Sequence, residues 1–376
     1  MLNRFYLLRF ISLLFIANLI FGQTTKLHLV FTNDIHGSIH QIPARFMNPE
    51  FGPMMSGGAG AFAYVSELRQ EAKQKGDDVL LLDGGNFFQG TPLGTLDGGE
   101  TIIRWMNQMD YDALTPGLRD FDQGVENLKQ LSNVANFPML SGNLIDDKAG
   151  QNPEWLKPII YKQIGQTKLA IIGLTQDNIP ELSFPKNTEG LQFLPAVASA
   201  QKQVKTAKLN GADIIIMLAH LGIPYNRKDE FETFLSQVSQ GETSVESKGL
   251  NAMELAHFVE GIDVLVTGGV AKGYNEPWED PNTHTLIVQN YGNLSGIGHL
   301  ELLIDQDTKS ISGYEFPTDR GMLITLLQDD ILPESEMGET VHHWVKDAKL
   351  KAEKQFFSRD TNPKKKRLSQ NTQTFI

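Results

Sequence analysis

The sequence of 376 residues contains no cysteine, which excludes a disulfide framework and a lipoprotein cleavage site. It is also poor in basic residues, because 33 Lys and Arg stand against 45 Asp and Glu and give a formal net charge of −12. An acidic chain without a basic face argues against a nucleic-acid partner. The basic run at residues 364–367 lies in a polar tail, which is typical of a solvated, flexible end.

Long apolar runs are absent as well. The longest one near the amino terminus covers residues 10–21, which is short of the ~20 residues that a bilayer-spanning helix needs. Because Arg4 and Arg9 precede this run and no acidic residue occurs before Gln23, residues 1–23 are predicted to be an export signal. A membrane anchor is the alternative. We expect removal of the signal, a periplasmic or secreted protein, and no transmembrane span in the mature chain.

The rest of the chain alternates short apolar runs with segments of helical periodicity, and it shows no internal repeat or low-complexity linker before the tail. This alternation predicts an α/β fold with one large core. The predicted domains are a main domain over 24–325, a helical segment over 326–358 and the tail over 359–376. The expected strands are 27–31, 79–83, 139–144, 168–174, 213–218, 263–267, 285–290 and 299–304, and the expected helices include 102–109, 125–131, 196–210, 253–259 and 334–356.

The turn after the first expected strand is the centre of the functional interpretation. It reads Thr-Asn-Asp-x-His-Gly and contains Asp34 and His36. Ligands of open α/β sheets bind at the carboxyl ends of strands. An oxygen and an imidazole that converge there are typical ligands of a divalent cation. Two satisfied polar side chains in an ordinary turn are the alternative.

Six segments, in this order, carry a resemblance to a known family. They are Thr-Asn-Asp-x-His-Gly at 32–37, Leu-Asp-Gly-Gly-Asn-x-x-Gln-Gly-Thr at 82–91, Gly-x-x-Asp-Phe-Asp-x-Gly at 117–124, Ser-Gly-Asn at 141–143, Ala-His-Leu-Gly at 219–222 and Val-Gln-Asn-x-Gly at 288–292. Over residues 26–304 the chain resembles the calcineurin-like metallophosphoesterase domain of the exported 5′-nucleotidases. The resemblance implies a four-layer α-β-β-α sandwich and a two-metal site that activates water against a phosphate ester.

The family's site residues are only partly present. The resemblance assigns metal ligation to Asp34, His36 and His220. The other positions depart from the pattern: Asn86 replaces the bridging Asp, Leu118 replaces a ligating Asn, Arg119 replaces the catalytic His, and Gly269 and Ala271 replace two ligating His.

These replacements predict impaired catalysis. A bridging carboxylate compensates the repulsion between two dications that lie ~3.5–4 Å apart, whereas the neutral amide of Asn86 does not. At most one divalent metal is therefore expected, at Asp34 and His36 with Asn86 as a further oxygen ligand. Arg119 either supplies part of the missing positive charge, by pairing with Asp34 or a bound anion, or pairs with Asp120 or Asp122 at an exposed turn.

Three functional hypotheses follow from the sequence. The favoured one is an exported, catalytically impaired protein with a cleft for a phosphate, a nucleotide-like anion or a partner. The others are an active one-metal phosphoesterase and the non-catalytic subunit of a split nucleotidase. A separate chain with the family's carboxyl-terminal domain is the expected partner, docking on the helix at 334–356, although this helix could equally pack on its own domain. The remaining histidines are predicted to be ordinary surface or helix-face residues: His28, His40, His257, His284, His299, His342 and His343.

Overall fold

The computed structural model describes residues 24–360, with side chains described up to residue 354. The predicted export signal at 1–23 and nearly all of the predicted tail lie outside the described residues. Within the described part, no helix combines the length and the apolar character that crossing a membrane requires.

The strands of the described chain are, in order, β1 Thr24–Thr32, β2 Asp78–Asp83, β3 Ala113–Leu114, β4 Leu144–Asp146, β5 Ile159–Ile164, β6 Thr167–Leu174, β7 Leu191–Phe193, β8 Ile214–Ala219, β9 Val264–Thr267, β10 Trp278–Glu279, β11 Leu286–Gln289, β12 Gly296–Asp305, β13 Ser310–Glu315 and β14 Leu323–Thr325.

The α-helices are α1 Gly57–Lys75, α2 Pro92–Thr95, α3 Glu100–Gln108, α4 Val125–Val134, α5 Ile179–Leu182, α6 Ala196–Leu209, α7 Arg227–Gln240, α8 Ala252–Phe258 and α9 Ser335–Asp360. Two short 3₁₀ turns lie at Leu118–Phe121 and Pro185–Asn187.

Two six-stranded mixed sheets form the centre of the molecule. The first has the order β13-β12-β1-β2-β3, with β14 also paired to β12, and the second has the order β10-β11-β9-β8-β6-β5. In the first sheet β1 runs parallel to β2 and antiparallel to β12, and in the second β6, β8, β9 and β11 are mutually parallel neighbours. The strands β4 and β7 form a separate two-stranded sheet.

Alternation of side chains along the strands produces three apolar cores between four layers. Leu29 and Phe31 point from β1 into the core between the two sheets, where they meet residues such as Ile216 of β8. Val30 points to the opposite side, into the core under α1 and α3. A third core lies between the second sheet and the helices α6, α7 and α8. The predicted α-β-β-α sandwich is therefore confirmed.

One predicted strand is wrong. Residues 139–144 form only single bridges, Met139 with Leu114 and Leu140 with Lys157, before β4 begins at Leu144. The backbone N–H groups of this segment are divided among three neighbours, because Leu140 donates to Leu114 O, Ser141 to Lys157 O and Gly142 to Gly173 O. The segment therefore forms no continuous ladder with a single strand.

The long helix α9 lies against the domain itself. Met337, Val341 and Ala348 are buried in the same core as residues of α1 and α3. The described part of α9 is thus an element of this domain's helical layer, and its apolar side is covered by the domain.

The centre of the first sheet generates a stability prediction at Gly298, which pairs with Phe31 across β1 and β12. A Cβ atom at Gly298 would lie 2.1 Å from Phe31 Cζ. Because the ring is buried between two sheets and cannot retreat, we expect Gly298→Ala to lower the free energy of unfolding by about 1–3 kcal/mol in urea denaturation.

Gly313 in β13 is the matched control, because a Cβ there meets no atom closer than Leu303 Cδ1 at 4.0 Å. We expect Gly313→Ala to change the free energy of unfolding by no more than about 0.5 kcal/mol. Equal losses in both variants would contradict the packing argument.

Candidate metal-binding edge

The candidate site lies where the two sheets bring the carboxyl ends of their parallel strands together. Asp34 and His36 follow β1, and Asn86 follows β2. His220 follows β8 of the second sheet, and Gly269 follows β9. The sequence prediction that these segments share one edge is therefore reproduced in the structure, and the residues come from both halves of the sandwich.

The backbone at this edge is held in an unfavourable conformation at three non-glycine residues. Asp34, His36 and Asn86 have φ of 51°, 51° and 59°. Each such residue costs of order 1–3 kcal/mol, and the surrounding structure must compensate for it. Two interlocking hydrogen bonds do so here, since the N–H of Asp34 donates to Gly85 O and the N–H of His36 donates to Asn86 O.

The carboxylate of Asp34 is buried and fully engaged in hydrogen bonds. Oδ1 accepts from Asn86 Nδ2 at 2.9 Å. Oδ2 accepts from Asn33 Nδ2 at 3.0 Å and from the N–H of Gly269 at 2.7 Å. Burial by itself raises the pKa of Asp34, but the charge of His220 and these three hydrogen bonds outweigh it and hold the pKa below the usual value.

Both histidines of the site point the same ring nitrogen at Asp34. His36 Nδ1 lies 2.8 Å from Gln89 O, and His220 Nδ1 lies 2.5 Å from Gly84 O. Because a carbonyl can only accept, both Nδ1 atoms carry a proton, and in the neutral form of either ring the lone pair is on Nε2. These Nε2 atoms lie 3.6 Å and 3.7 Å from Asp34 Oδ1.

Asn86 does not complete this set. Its Nδ2 faces Asp34, while its Oδ1 accepts from the backbone N–H of Arg119 at 2.8 Å. An amide in this orientation presents a donor, not a ligand atom, to the position between Asp34 and the histidines. The predicted role of Asn86 as a residual ligand therefore requires a rotation that breaks both hydrogen bonds.

Arg119 points away from the site. Its Nη1 lies 3.5 Å from Asp122 Oδ2, and 59% of the side chain is exposed. This contact corresponds to the second of the two alternatives drawn from the sequence, an ion pair at an exposed turn. The guanidinium makes no ion pair with Asp34 or Asp120.

Asp120 holds two loops of the edge together. Its buried carboxylate accepts hydrogen bonds from the backbone N–H groups of Gly117, Asn86 and Phe87. Complete burial nevertheless raises the pKa of Asp120 to about 7. Leu118, at the family's ligating Asn position, is half-buried against the core under α1 and α3.

In the turn after β9, Gly269 and Ala271 have no ligating side chain at the two positions where the family has histidines. Gly269 has φ of +106°, and a Cβ there would lie 3.1 Å from His220 Nε2. Ala271 is exposed and lines a cleft of about 790 Å³ beside the edge. Gly292 and His40 line the same cleft, together with Phe46 and Tyr291, which are 70% and 47% exposed.

The ligand atoms present are too few for two cations. His36 Nε2 and His220 Nε2 each lie beside Asp34 Oδ1, whereas Leu118, Gly269 and Ala271 offer no ligand atom. The sequence pointed to Asp34, His36 and His220 but not to Asn33, although Asn33 lies inside the first motif. Asn33 exchanges hydrogen bonds with the backbone of Asn290 and so ties the end of β1 to the end of β11.

The prediction that His28 and His299 are ordinary surface residues is wrong. They are 4% and 1% exposed, and their rings form a buried pair midway along β1, between β1 and β12. Their positions, 271 residues apart, become adjacent only through the pairing of β1 with β12.

Comparison with known proteins identifies similar sequences and structures among 5′-nucleotidases and calcineurin-like phosphoesterases. No protein-family profile matches the chain. A 5′-nucleotidase of Vibrio vulnificus is 32% identical over 200 residues, which are 53% of this chain and 34% of the relative. A 5′-nucleotidase precursor from Thermus thermophilus superposes with a TM-score of 0.69 and 22% identity, over 86% of this chain and 59% of the other. A calcineurin-like phosphoesterase, YfkN of Bacillus subtilis, has a TM-score of 0.63 and 22% identity, over 87% and 98%.

The chain has the fold of the calcineurin-like phosphoesterases, and over 53% of its length its sequence is similar to that of a 5′-nucleotidase. The region matched in the Vibrio protein is about a third of that relative's length.

Asp83, at the end of β2, leads to a prediction on how the free energy of unfolding depends on pH. Its carboxyl is fully buried and accepts from the Thr32 hydroxyl at 2.7 Å and the N–H of Gly85 at 2.9 Å. Burial raises the pKa of Asp83 well above 3.8. The folded state then keeps a proton that the unfolded state has lost, so we expect the free energy of unfolding to fall as pH rises above ~4.

Asp83→Asn removes this titration, and its amide can donate to the Thr32 hydroxyl while its oxygen accepts from Gly85. We therefore expect a flatter dependence of the unfolding free energy on pH, measured by urea denaturation between about pH 4 and 8. Asp307→Asn, on an exposed turn, is the control and should leave the slope unchanged. If the unfolding free energy of Asp83→Asn still falls with pH as steeply as that of the wild type, the pH dependence belongs to other groups.

Proposed function

We propose that this protein is a non-hydrolytic member of the 5′-nucleotidase family, whose edge site holds at most one divalent ion and does not turn over phosphate esters. The observation that carries the proposal is the hydrogen-bonded state of Asp34. An amide and a backbone N–H occupy the carboxylate oxygens that the family's pattern assigns to metal.

Charge at the edge supports the proposal. Two dications need carboxylates between and around them. Asp83 binds Thr32 and Gly85, and Asp120 binds three backbone N–H groups, so both are turned away from the ion position. Asp34 alone among these three faces the two histidines, and its single charge does not compensate two ions.

The energetic consequence is large. A metal lowers the pKa of bound water from 15.7 to ~7, and at 1.36 kcal/mol per pKa unit this is roughly 11 kcal/mol of nucleophile activation. Phosphate monoesters are among the slowest substrates to hydrolyse without a catalyst. A site that has lost most of this activation, and has Arg119 turned to solvent in place of a catalytic imidazole, is not expected to support turnover.

We expect the purified protein to show no Mn²⁺- or Zn²⁺-dependent hydrolysis of AMP or p-nitrophenyl phosphate above that of Asp34→Asn. The substitution keeps the shape of the side chain but removes the only charge that faces His36 and His220. The assay measures phosphate release with and without metal. Metal-dependent turnover that disappears in Asp34→Asn would refute the proposal.

A variant with the family's ligands restored is the positive control. It combines Asn86→Asp, Leu118→Asn, Arg119→His, Gly269→His and Ala271→His. We expect it to gain metal-dependent turnover of at least about tenfold over wild type, which adding Asp34→Asn abolishes. Since Gly269 has φ of +106°, the turn after β9 must rearrange to accept a side chain, and a circular-dichroism spectrum must first show an intact fold.

A one-ion phosphoesterase is the second candidate. It is favoured by the convergence of His36 Nε2 and His220 Nε2 on Asp34 Oδ1 at 3.6–3.7 Å. The assay described above separates the two, because this candidate requires turnover that depends on one bound metal per chain.

The proposal includes export and an accessory role. The amino-terminal signal predicted from residues 1–23 would place the protein in the periplasm or outside the cell. The cleft beside the edge offers apolar walls at Phe46 and Tyr291 next to Gly292, which is suited to a nucleotide-like ligand or a partner chain. We expect a chain with the family's carboxyl-terminal domain to co-purify through this cleft. Phe46→Ser combined with Tyr291→Ser should abolish the association, whereas a substitution at exposed Leu209 on α6 should not.

A further inference from the structure

A second cluster of ligating side chains lies midway along β1. His28 pairs with Glu301 of β12, and His299 lies two residues before Glu301. Side chains two residues apart on a strand share a face, so the three groups point to the same side of the sheet. That side is the one covered by α1, because Tyr64 of α1 contacts His299.

The three groups approach closely enough to share one ion. His28 Nδ1 lies 2.9 Å from His299 Nε2 and 3.5 Å from Glu301 Oε1. One potential ligand atom of each residue lies within 4.8 Å of the others. Two imidazole nitrogens and one carboxylate oxygen are a ligand set of zinc sites with three protein ligands.

Each of the three groups also has a partner for its remaining polar atom. His299 Nδ1 lies 2.7 Å from the Tyr64 hydroxyl, and His28 Nε2 lies 3.8 Å from Asp77 Oδ2. Glu301 Oε2 accepts from Lys26 Nζ at 2.5 Å. Partners of this kind fix the tautomer and orientation of metal-ligating histidines, and their presence is characteristic of metal sites.

We propose that His28, His299 and Glu301 bind one Zn²⁺ ion, with water as the fourth ligand. The site lies between β1 and β12 under α1, and it does not depend on the edge site. Asp34 is six residues further along the chain than His28, which at about 3.3 Å per residue is roughly 20 Å away.

The protons at the site can be placed. In the metal-free protein one N–H lies between His28 Nδ1 and His299 Nε2, because two lone pairs would not approach to 2.9 Å. In the metal-bound state both of these nitrogens donate lone pairs to zinc. The proton then sits on the remote nitrogen of each ring, where the Tyr64 hydroxyl accepts the one on His299 and the Asp77 carboxylate lies 3.8 Å from the one on His28. No charged imidazole is needed in either state.

The charges around the cluster favour a cation. Glu301, Glu315 and Asp77 contribute three carboxylates, and Lys26 and Lys75 contribute two opposing charges, of which Lys26 is already paired with both glutamates. The imidazoles are buried, and burial lowers the pKa of His28 and lowers that of His299 to about 3. Both rings are therefore neutral at pH 7, which is the form that binds metal.

The test uses the full chain and Zn²⁺ as the probe. The double variant Asp34→Asn/His36→Gln disables the edge site and leaves the proposed site untouched. We expect it to bind one Zn²⁺ per chain in equilibrium dialysis and to show a higher thermal midpoint with Zn²⁺ than with EDTA. X-ray absorption of this zinc-loaded variant should show two imidazoles and oxygen at about 2.0–2.1 Å. Absence of bound zinc, or zinc without imidazole ligands, would overturn the proposal. This variant still contains His28, His299 and Glu301, so the result would not come from damage to the proposed site.

Substitution of the ligands is the second arm. In the same double-variant background, His28→Gln and Glu301→Gln should each weaken zinc binding at least tenfold. The exposed His284, which contacts Glu279, supplies the matched control, and His284→Gln should leave the affinity unchanged. Unchanged affinity in His28→Gln, or equal loss in His284→Gln, would also overturn the proposal.

Discussion

The carboxylate of Asp34 sets the constraint that the whole edge must satisfy. A buried carboxylate is costly unless charge or hydrogen bonds compensate it. In a two-ion phosphatase the cations supply that compensation, and the surrounding residues can be acceptors. Here two amide N–H groups and one backbone N–H supply it. Asn86, at a family ligand position, donates to one oxygen of this carboxylate, and the backbone N–H of Gly269 donates to the other. The burial of Asp34 is therefore compensated without an ion.

The same contacts explain how the unusual backbone at the edge is held. Positive φ at Asp34, His36 and Asn86 is a strained conformation, of the kind that a bound metal ion can stabilise. The strain remains because the same turns carry the sandwich. The N–H of Asp34 donates to Gly85 O, and Asn33 joins the ends of β1 and β11 across the two sheets. Relaxing the turns would separate the two sheets at this end, so the geometry of the site is retained as part of the fold.

The layers and the edge could be predicted from the sequence, because they depend on local patterns. Apolar runs identify the central strands, and the polar residues after them must meet at one edge of a parallel sheet. The failures depend on contacts that no local pattern encodes. Residues 139–144 look like a strand, but their backbone N–H groups donate to three different neighbours, Leu114, Lys157 and Gly173. His28 and His299 look isolated until the register of β1 against β12 places them 2.9 Å apart. The direction of Arg119 is likewise decided by Asp122, one helical turn away.

The carboxyl end and the middle of β1 differ in a way that bears on how such a fold changes its chemistry. After the carboxyl end, hydrogen-bond donors surround the Asp34 carboxylate, and His36 and His220 lie beside it. In the middle of the strand, His28, His299 and Glu301 present acceptors whose other polar atoms lie next to Asp77, Tyr64 and Lys26. An ion there would bind β1 to β12, the antiparallel pair at the centre of the first sheet, without approaching the cleft beside the edge. Its effect would be on the stability of the sheet, and it would not depend on the chemistry at the edge.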